Sequence, residues 1–221
     1  MLPFLLDFFF PRRSIGGKEG AWITEDERRH IRLTPLLLDK EAIRKKGLRS
    51  VDAIVAAGSY DDSPLLKKAI LTFKYGRVKA LGPELGGWMA DAIRGLLIPP
   101  IRLKDTTPVL CPVPLHWTRK FQRGFNQALV LAEEISKRTS WPVREIVKRT
   151  RPTGHQAWRS RAERLTALTG AFASTERRGH APQYVILIDD ICTTGTTLDE
   201  CAKALKDAGT DYVIAVVVAY G

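Results

Sequence analysis

Two adjacent carboxylates and a cluster of hydroxyls stand close together near the end of the chain. Asp189 and Asp190 are followed by Thr193, Thr194, Gly195, Thr196 and Thr197. Carboxylates accept hydrogen bonds from sugar hydroxyls and ligate hard cations such as Mg²⁺. A glycine-hinged turn that opens a helix presents backbone N–H groups, with hydroxyls beside them, to a phosphate. Carboxylates repel phosphate, so one ligand type suits both halves: a sugar phosphate, hydroxyls toward the acids and phosphate in the turn.

These residues need a strand before them and a helix after them. Tyr184 to Ile188 is a continuous apolar, β-branched run, as expected of a parallel strand covered on both faces. Its end at Asp189 places the acids at the carboxyl edge of a sheet, where open α/β folds bind ligands. A helix is predicted from about Thr197, with Leu198, Cys201, Ala202 and Leu205 on one face and Gly209 as its stop. The bland alternative is a strand, a turn and an N-capped helix with no ligand. The combination of apolar run, double acid, threonine–glycine turn and helix is more specific than any of its parts.

The stretch YVILIDDICTTGTTL resembles the phosphoribosyl pyrophosphate (PRPP) motif of type I phosphoribosyltransferases. The resemblance implies that Asp189 and Asp190 hold the ribose hydroxyls, that Thr193, Thr194, Gly195, Thr196 and Thr197 hold the 5-phosphate, and that the two acids meet Mg²⁺ directly or through water. It implies an α/β fold of the type I phosphoribosyltransferase kind: a mainly parallel central sheet flanked by helices, a small hood and a short N-terminal appendage.

Other phrases resemble the ComF family of competence-associated, phosphoribosyltransferase-like proteins over nearly the whole chain: FPRR…GKEGAW near the start, Phe73-Lys74-Tyr75-Gly76, PVPLH…RGFNQA, and a segment in which Arg149, Arg151, Thr153, Gln156, Arg164 and Gly170-Ala171-Phe172 match. Ala167 stands where the family has Asn. The resemblance implies a zinc ribbon over the first 34 residues, but Ser14, Gly17, Thr24 and Glu27 stand where its cysteines belong. Zinc takes thiolate or imidazole ligands, typically four, so no structural zinc is expected. The loop is then held by packing, with Trp22, Phe8 and Phe9 as candidates. The chain divides into this degenerate ribbon, 1–34, and a phosphoribosyltransferase-like domain, 35–221.

Between these landmarks the pattern alternates. Residues 35–50 read as a charged linker or short helix, and 51–62 as a strand and turn at the sheet edge. Leu65, Leu66, Ala69, Ile70 and Phe73 mark one helix. Leu81, Leu85, Trp88, Met89, Ala92, Ile93 and Leu96 mark a second, stopped by Pro99-Pro100. Pro108–Leu115 is a buried strand, and Phe125, Ala128, Leu129, Ala132 and Ile135 mark the helix after it. Tyr212–Ala219 is the last buried strand. In the family the loop after the first core strand cradles pyrophosphate. Arg119 and Arg123 are the candidates there, since guanidinium grips phosphate as a fork. Asn126 and Gln127 read equally as helix caps or ligand contacts. Residues 144–172 carry Arg144, Lys148, Arg149, Arg151, Arg159, Arg161 and Arg164 against Glu145 and Glu163, broken by Pro152 and Gly154. By resemblance this is the mobile hood; the surplus of cations suits closing over pyrophosphate, with Arg149, Arg151 and Arg164 as candidates, or gripping a nucleic-acid backbone.

Composition bounds the rest. The 221 residues are 44% hydrophobic and 27% charged, ordinary values for one α/β domain. The net charge of +11 suits an anionic partner. Cys111, Cys192 and Cys201 are scattered and odd in number, which suits a reducing cytoplasm. MLPFLLDFFFP lacks a basic n-region and contains an acid, so no signal peptide is expected, and no run reaches the ~18 apolar residues of a membrane span. Two functions are compatible with this. One is Mg²⁺-dependent phosphoribosyl transfer to an acceptor with release of pyrophosphate. No general base stands out for it among His116, His155 and His180. The other is a non-catalytic PRPP- or nucleotide-binding protein that engages single-stranded DNA in uptake. Trp117, Phe121, Phe125 and Trp158 are candidate stacking residues for it, although aromatics at helical spacing are more often core.

Overall fold

The computed structural model describes residues 13–96, 107–115, 124–150 and 169–221. Among them, a five-stranded sheet runs in the order β1 (Leu36–Leu38), β2 (Ala53–Ser59), β7 (Tyr212–Tyr220), β6 (Tyr184–Cys192) and β3 (Val109–Pro112). The last four strands are parallel and β1 is antiparallel to β2. The parallel strands are buried nearly throughout, as their unbroken apolar runs require when helices cover both faces.

One face carries α3 (Pro64–Tyr75), α4 (Gly82–Gly95) and α5 (Gln127–Thr139), which bury Phe73, Leu85, Met89 and Leu131 against Ile186, Ile188 and Val216. The other carries α6 (Thr196–Asp207), which buries Leu198, Cys201, Ala202 and Leu205 against Val185, Leu187 and Val217. Two short helices, α1 (Glu25–His30) and α2 (Lys40–Lys45), precede the sheet. A separate hairpin pairs β4 (Val147–Arg149) with β5 (Phe172–Ser174). It stands where the hood is expected, and most of the hood lies outside the described residues.

Three expectations are corrected. The 51–62 strand is interior, because the tripeptide β1, flanked by Pro35 and Asp39, adds itself outside and is too short to announce itself by periodicity. The strand of the acids runs on to Cys192, because β7 extends beside it and keeps its ladder paired: Asp189 lies opposite Val217 and Cys192 opposite Tyr220. On α5, Val130 and Leu131 are buried rather than Leu129. The Pro99-Pro100 stop lies outside the described residues.

The N-terminal loop is anchored through Ile15, Ile23 and Ile31, which join the core, with Trp22 packed against it. Phe8 and Phe9 lie outside the described residues. At the centre of the loop is the Glu27 carboxylate. It accepts from Ser14 Oγ and Gly16 N, both at 2.6 Å, and from Thr24 N at 2.8 Å, while Thr24 caps α1 in return.

Candidate functional site

Strand β6 and the turn after it bring the acids and the threonines to the carboxyl edge of the sheet. Asp189 is half-buried and Asp190 buried. Asp189 Oδ1 accepts from the Asp190 backbone N–H at 2.9 Å. Asp190 Oδ1 meets the Lys74 ammonium at 2.7 Å, where α3 ends.

The turn is built for a close backbone approach. Gly195 has φ +75°, in the left-handed region, and a Cβ there would lie 2.5 Å from Leu48 Cδ1. Gly195 is the N-cap of α6 and brings no capping side chain; among the described residues Thr194 Oγ1 stands at the long distance of 3.5 Å from Thr196 N. The first N–H groups of α6 thus have no close side-chain cap, the arrangement that suits an anion at a helix N-terminus. Thr194 and Thr196 hold their hydroxyls 3.1 Å apart. Thr193 is exposed, Thr194 and Thr197 are half-buried, and Gly195 and Thr196 are buried.

A brace behind the turn carries no signature in the sequence. Asp199, in the first turn of α6, accepts from the backbone N–H groups of Arg49, Ser50 and Val51 at 2.6–3.0 Å. Leu48 is buried against Gly195. The segment before β2 is thus tied to the turn through one carboxylate and one apolar side chain. An acid near a helix N-terminus was the only available signal, and it reads equally as a favourable charge for the helix dipole.

The remaining candidates divide. Asn126 is the N-cap of α5: its Oδ1 accepts from Ala128 N and its Nδ2 donates to the Val113 carbonyl. Both functional atoms serve the junction of β3 and α5, which favours capping over ligand contact; Gln127 is buried beside it. Phe125 packs on Phe73, ring centroids 5.4 Å apart, so it is a core aromatic rather than a stacking platform. Arg149 lies with its guanidinium 5.5 Å from the centroid of Phe172 across the hairpin. The hairpin is tethered to α6 by a hydrogen bond from Gly170 N to Glu200 Oε2. Arg119, Arg123, Arg151, Arg164, His116, His155, Trp117, Phe121 and Trp158 lie outside the described residues.

The donor types at the end of β6 and in the turn after it, carboxylate and hydroxyl oxygens, are those a hard divalent cation takes. Among the described residues no cluster of three or more His, Cys, Asp or Glu side chains forms a metal cage. Such a set suits Mg²⁺, which is commonly held by one or two carboxylates together with ligand phosphates. The nearby thiols are buried and held protonated. Burial, with the Asp189 charge adding to it, pushes Cys192 up to about 12. Burial pushes Cys111 to about 12 and Cys201 well above the ordinary thiol value.

Comparison with known proteins adds the following. Residues 126–221 match the phosphoribosyl transferase domain family. Competence protein F of Haemophilus influenzae is 36% identical over 106 residues, which are 47% of this chain and 46% of that protein. Competence protein ComFC of Bacillus subtilis is 35% identical over 101 residues, 46% of this chain and 39% of that protein. DNA utilization protein YhgH of Escherichia coli is 31% identical over 159 residues, 67% of this chain and 64% of that protein. The chain thus spans less than half the length of the first two.

Proposed function

The chain belongs to the ComF family and has a type I phosphoribosyltransferase fold; from this and the site geometry we propose that it binds PRPP. The observation that carries the reading is the union of β6, with Asp189 and Asp190 at its end, and the uncapped start of α6 behind Gly195. Asp189 accepts from ribose hydroxyls together with Asp190. The N–H groups and hydroxyls from Thr193 to Thr197 hold the 5-phosphate. Mg²⁺, when bound, neutralises charge on the pyrophosphate.

In transfer, the C1–oxygen bond to pyrophosphate breaks and its electron pair leaves with the pyrophosphate. In this reading the acids steady the positive charge that builds on the ribose, and the acceptor's lone pair then closes on C1. The arginines proposed to meet the leaving group are Arg119, Arg123, Arg149, Arg151 and Arg164. The chain's surplus of 35 Lys+Arg over 24 Asp+Glu adds a general pull on anions.

Calorimetric titration of PRPP with and without Mg²⁺ tests the reading. Wild type is expected to bind in a magnesium-dependent way. Asp189→Asn is expected to lose about tenfold or more in affinity, the scale of a charge-assisted hydrogen bond. Absence of binding to wild type overturns it.

A second reading rests on the net charge of +11 and on relatives named for competence and DNA utilization: a role in DNA uptake in which single-stranded DNA is held with or without transfer chemistry. Affinity for a single-stranded oligonucleotide is then expected to fall steeply with salt. Release of pyrophosphate in the presence of an acceptor favours catalysis instead.

A further inference from the structure

The buried ion pair between Lys74 and Asp190 is a contact at the site that its expected ligands do not explain. Lys74 Nζ lies 2.7 Å from Asp190 Oδ1, with the side chains 13% and 6% exposed. Such a pair is a weak source of stability, because removing both charges from water offsets most of their attraction. A lysine at a helix C-terminus is favourable, but that benefit does not require burying it against an acid on a neighbouring strand.

A second observation concerns the direction of the two acids. Successive residues of a strand point to opposite faces of the sheet. Ile186 and Ile188 pack with Ile70 and Phe73 of α3, whereas Val185 and Leu187 pack with Leu198 and Cys201 of α6. Alternation along β6 therefore sends Asp190 to the α3 face, where Lys74 meets it, and Asp189 to the α6 face, behind which the turn begins. Neighbours in sequence, the two acids face different sides: Asp190 is paired with an ammonium on the α3 face, and Asp189 is half-buried on the side of the turn.

Resting on the reading of this edge as a sugar-phosphate site, we propose that Lys74 is its positioning residue: it fixes Asp190 and cancels its charge, so Asp190 does not meet a ligand as a bare carboxylate. The ligand-free protein then has little affinity for a divalent cation by itself. The cation enters with the phosphates that supply its remaining ligands. The arrangement also spares a phosphate-bearing ligand the repulsion of a bare Asp190 carboxylate.

The test uses Mn²⁺ alone as probe, with bound metal followed by electron paramagnetic resonance and folding checked by thermal melting. Wild type is expected to bind Mn²⁺ weakly. Lys74→Met, which uncovers the Asp190 charge, is expected to bind it about tenfold tighter, the scale on which a neighbouring opposite charge acts on a carboxylate. Lys74→Arg is expected to match wild type, and Lys74→Met/Asp190→Asn to return to its weak binding. If Lys74→Met does not fold, Lys74→Gln, whose neutral amide still donates to the carboxylate, carries the same comparison.

Affinity in the neutral variant within about twofold of wild type (a difference of about 0.4 kcal/mol) overturns the proposal. So does a gain that survives removal of the Asp190 charge. Ribose 5-phosphate, titrated separately, distinguishes this result from failure of the broader reading. If no form of the protein binds it, the sugar-phosphate site falls, while the Mn²⁺ comparison still decides what Lys74 does.

Discussion

Gly195 is constrained twice, by its own backbone and by Leu48. A side chain at φ +75° pays for the left-handed conformation, and its Cβ also meets Leu48 Cδ1. Gly195→Ala is expected to cost about 1–2 kcal/mol from the backbone alone. In a Leu48→Ala background the steric part vanishes and the backbone part stays, so a double-mutant cycle by urea denaturation should return a clear coupling. Asp199→Ala removes an acceptor from three backbone N–H groups. A loss of about 2 kcal/mol is expected, with weaker ligand binding as the turn loses its brace. At this scale the sequence was readable where residue type alone declares chemistry: the double acid, the threonines, the glycine. The pairing of Lys74 and the brace at Asp199 were not readable, because each partner lies far away in the chain and only folding supplies it.

Elements were legible in proportion to their length and regularity. The helices marked at Leu65–Phe73 and Leu81–Leu96 appear as α3 and α4 because their apolar positions recur at helical spacing over several turns. The strand β1 and the exit of β6 depended on neighbours, a dependence that periodicity cannot display. Close packing of α4 on α5 was equally hidden. Gly86 lies where a Cβ would sit 2.5 Å from Glu134 Cβ and 3.4 Å from the Leu131 carbonyl oxygen. Glu134 is itself committed, to Lys137 and Arg138. Gly86→Ala is expected to push these helices apart and destabilise by about 1–3 kcal/mol, read from the denaturation midpoint.

At the scale of the molecule, acid is expected to act first on the N-terminal loop. Burial alone would raise the Glu27 carboxyl, but the hydrogen bonds from Ser14, Thr24 and Gly16 outweigh it and hold the group below its ordinary value of 4.5. A carboxyl depressed in the folded state adds stability above its unfolded value and loses it as pH falls through the folded one. Wild type should therefore lose melting temperature as pH drops below about 4.5, and Glu27→Gln should be less stable at neutral pH with a flatter acid response. The same carboxylate explains how the loop is tied together by residues of which none is a cysteine.

The three buried thiols have a practical consequence. With Cys111, Cys192 and Cys201 all buried and free, the native protein should give no reaction with Ellman's reagent at mildly alkaline pH and a full reaction once unfolded. A single cysteine placed at Tyr75, which is 68% exposed and follows Lys74 directly, would then be the only reactive handle on the folded chain. A fluorophore attached there would report each arrival at the site without any background label to subtract.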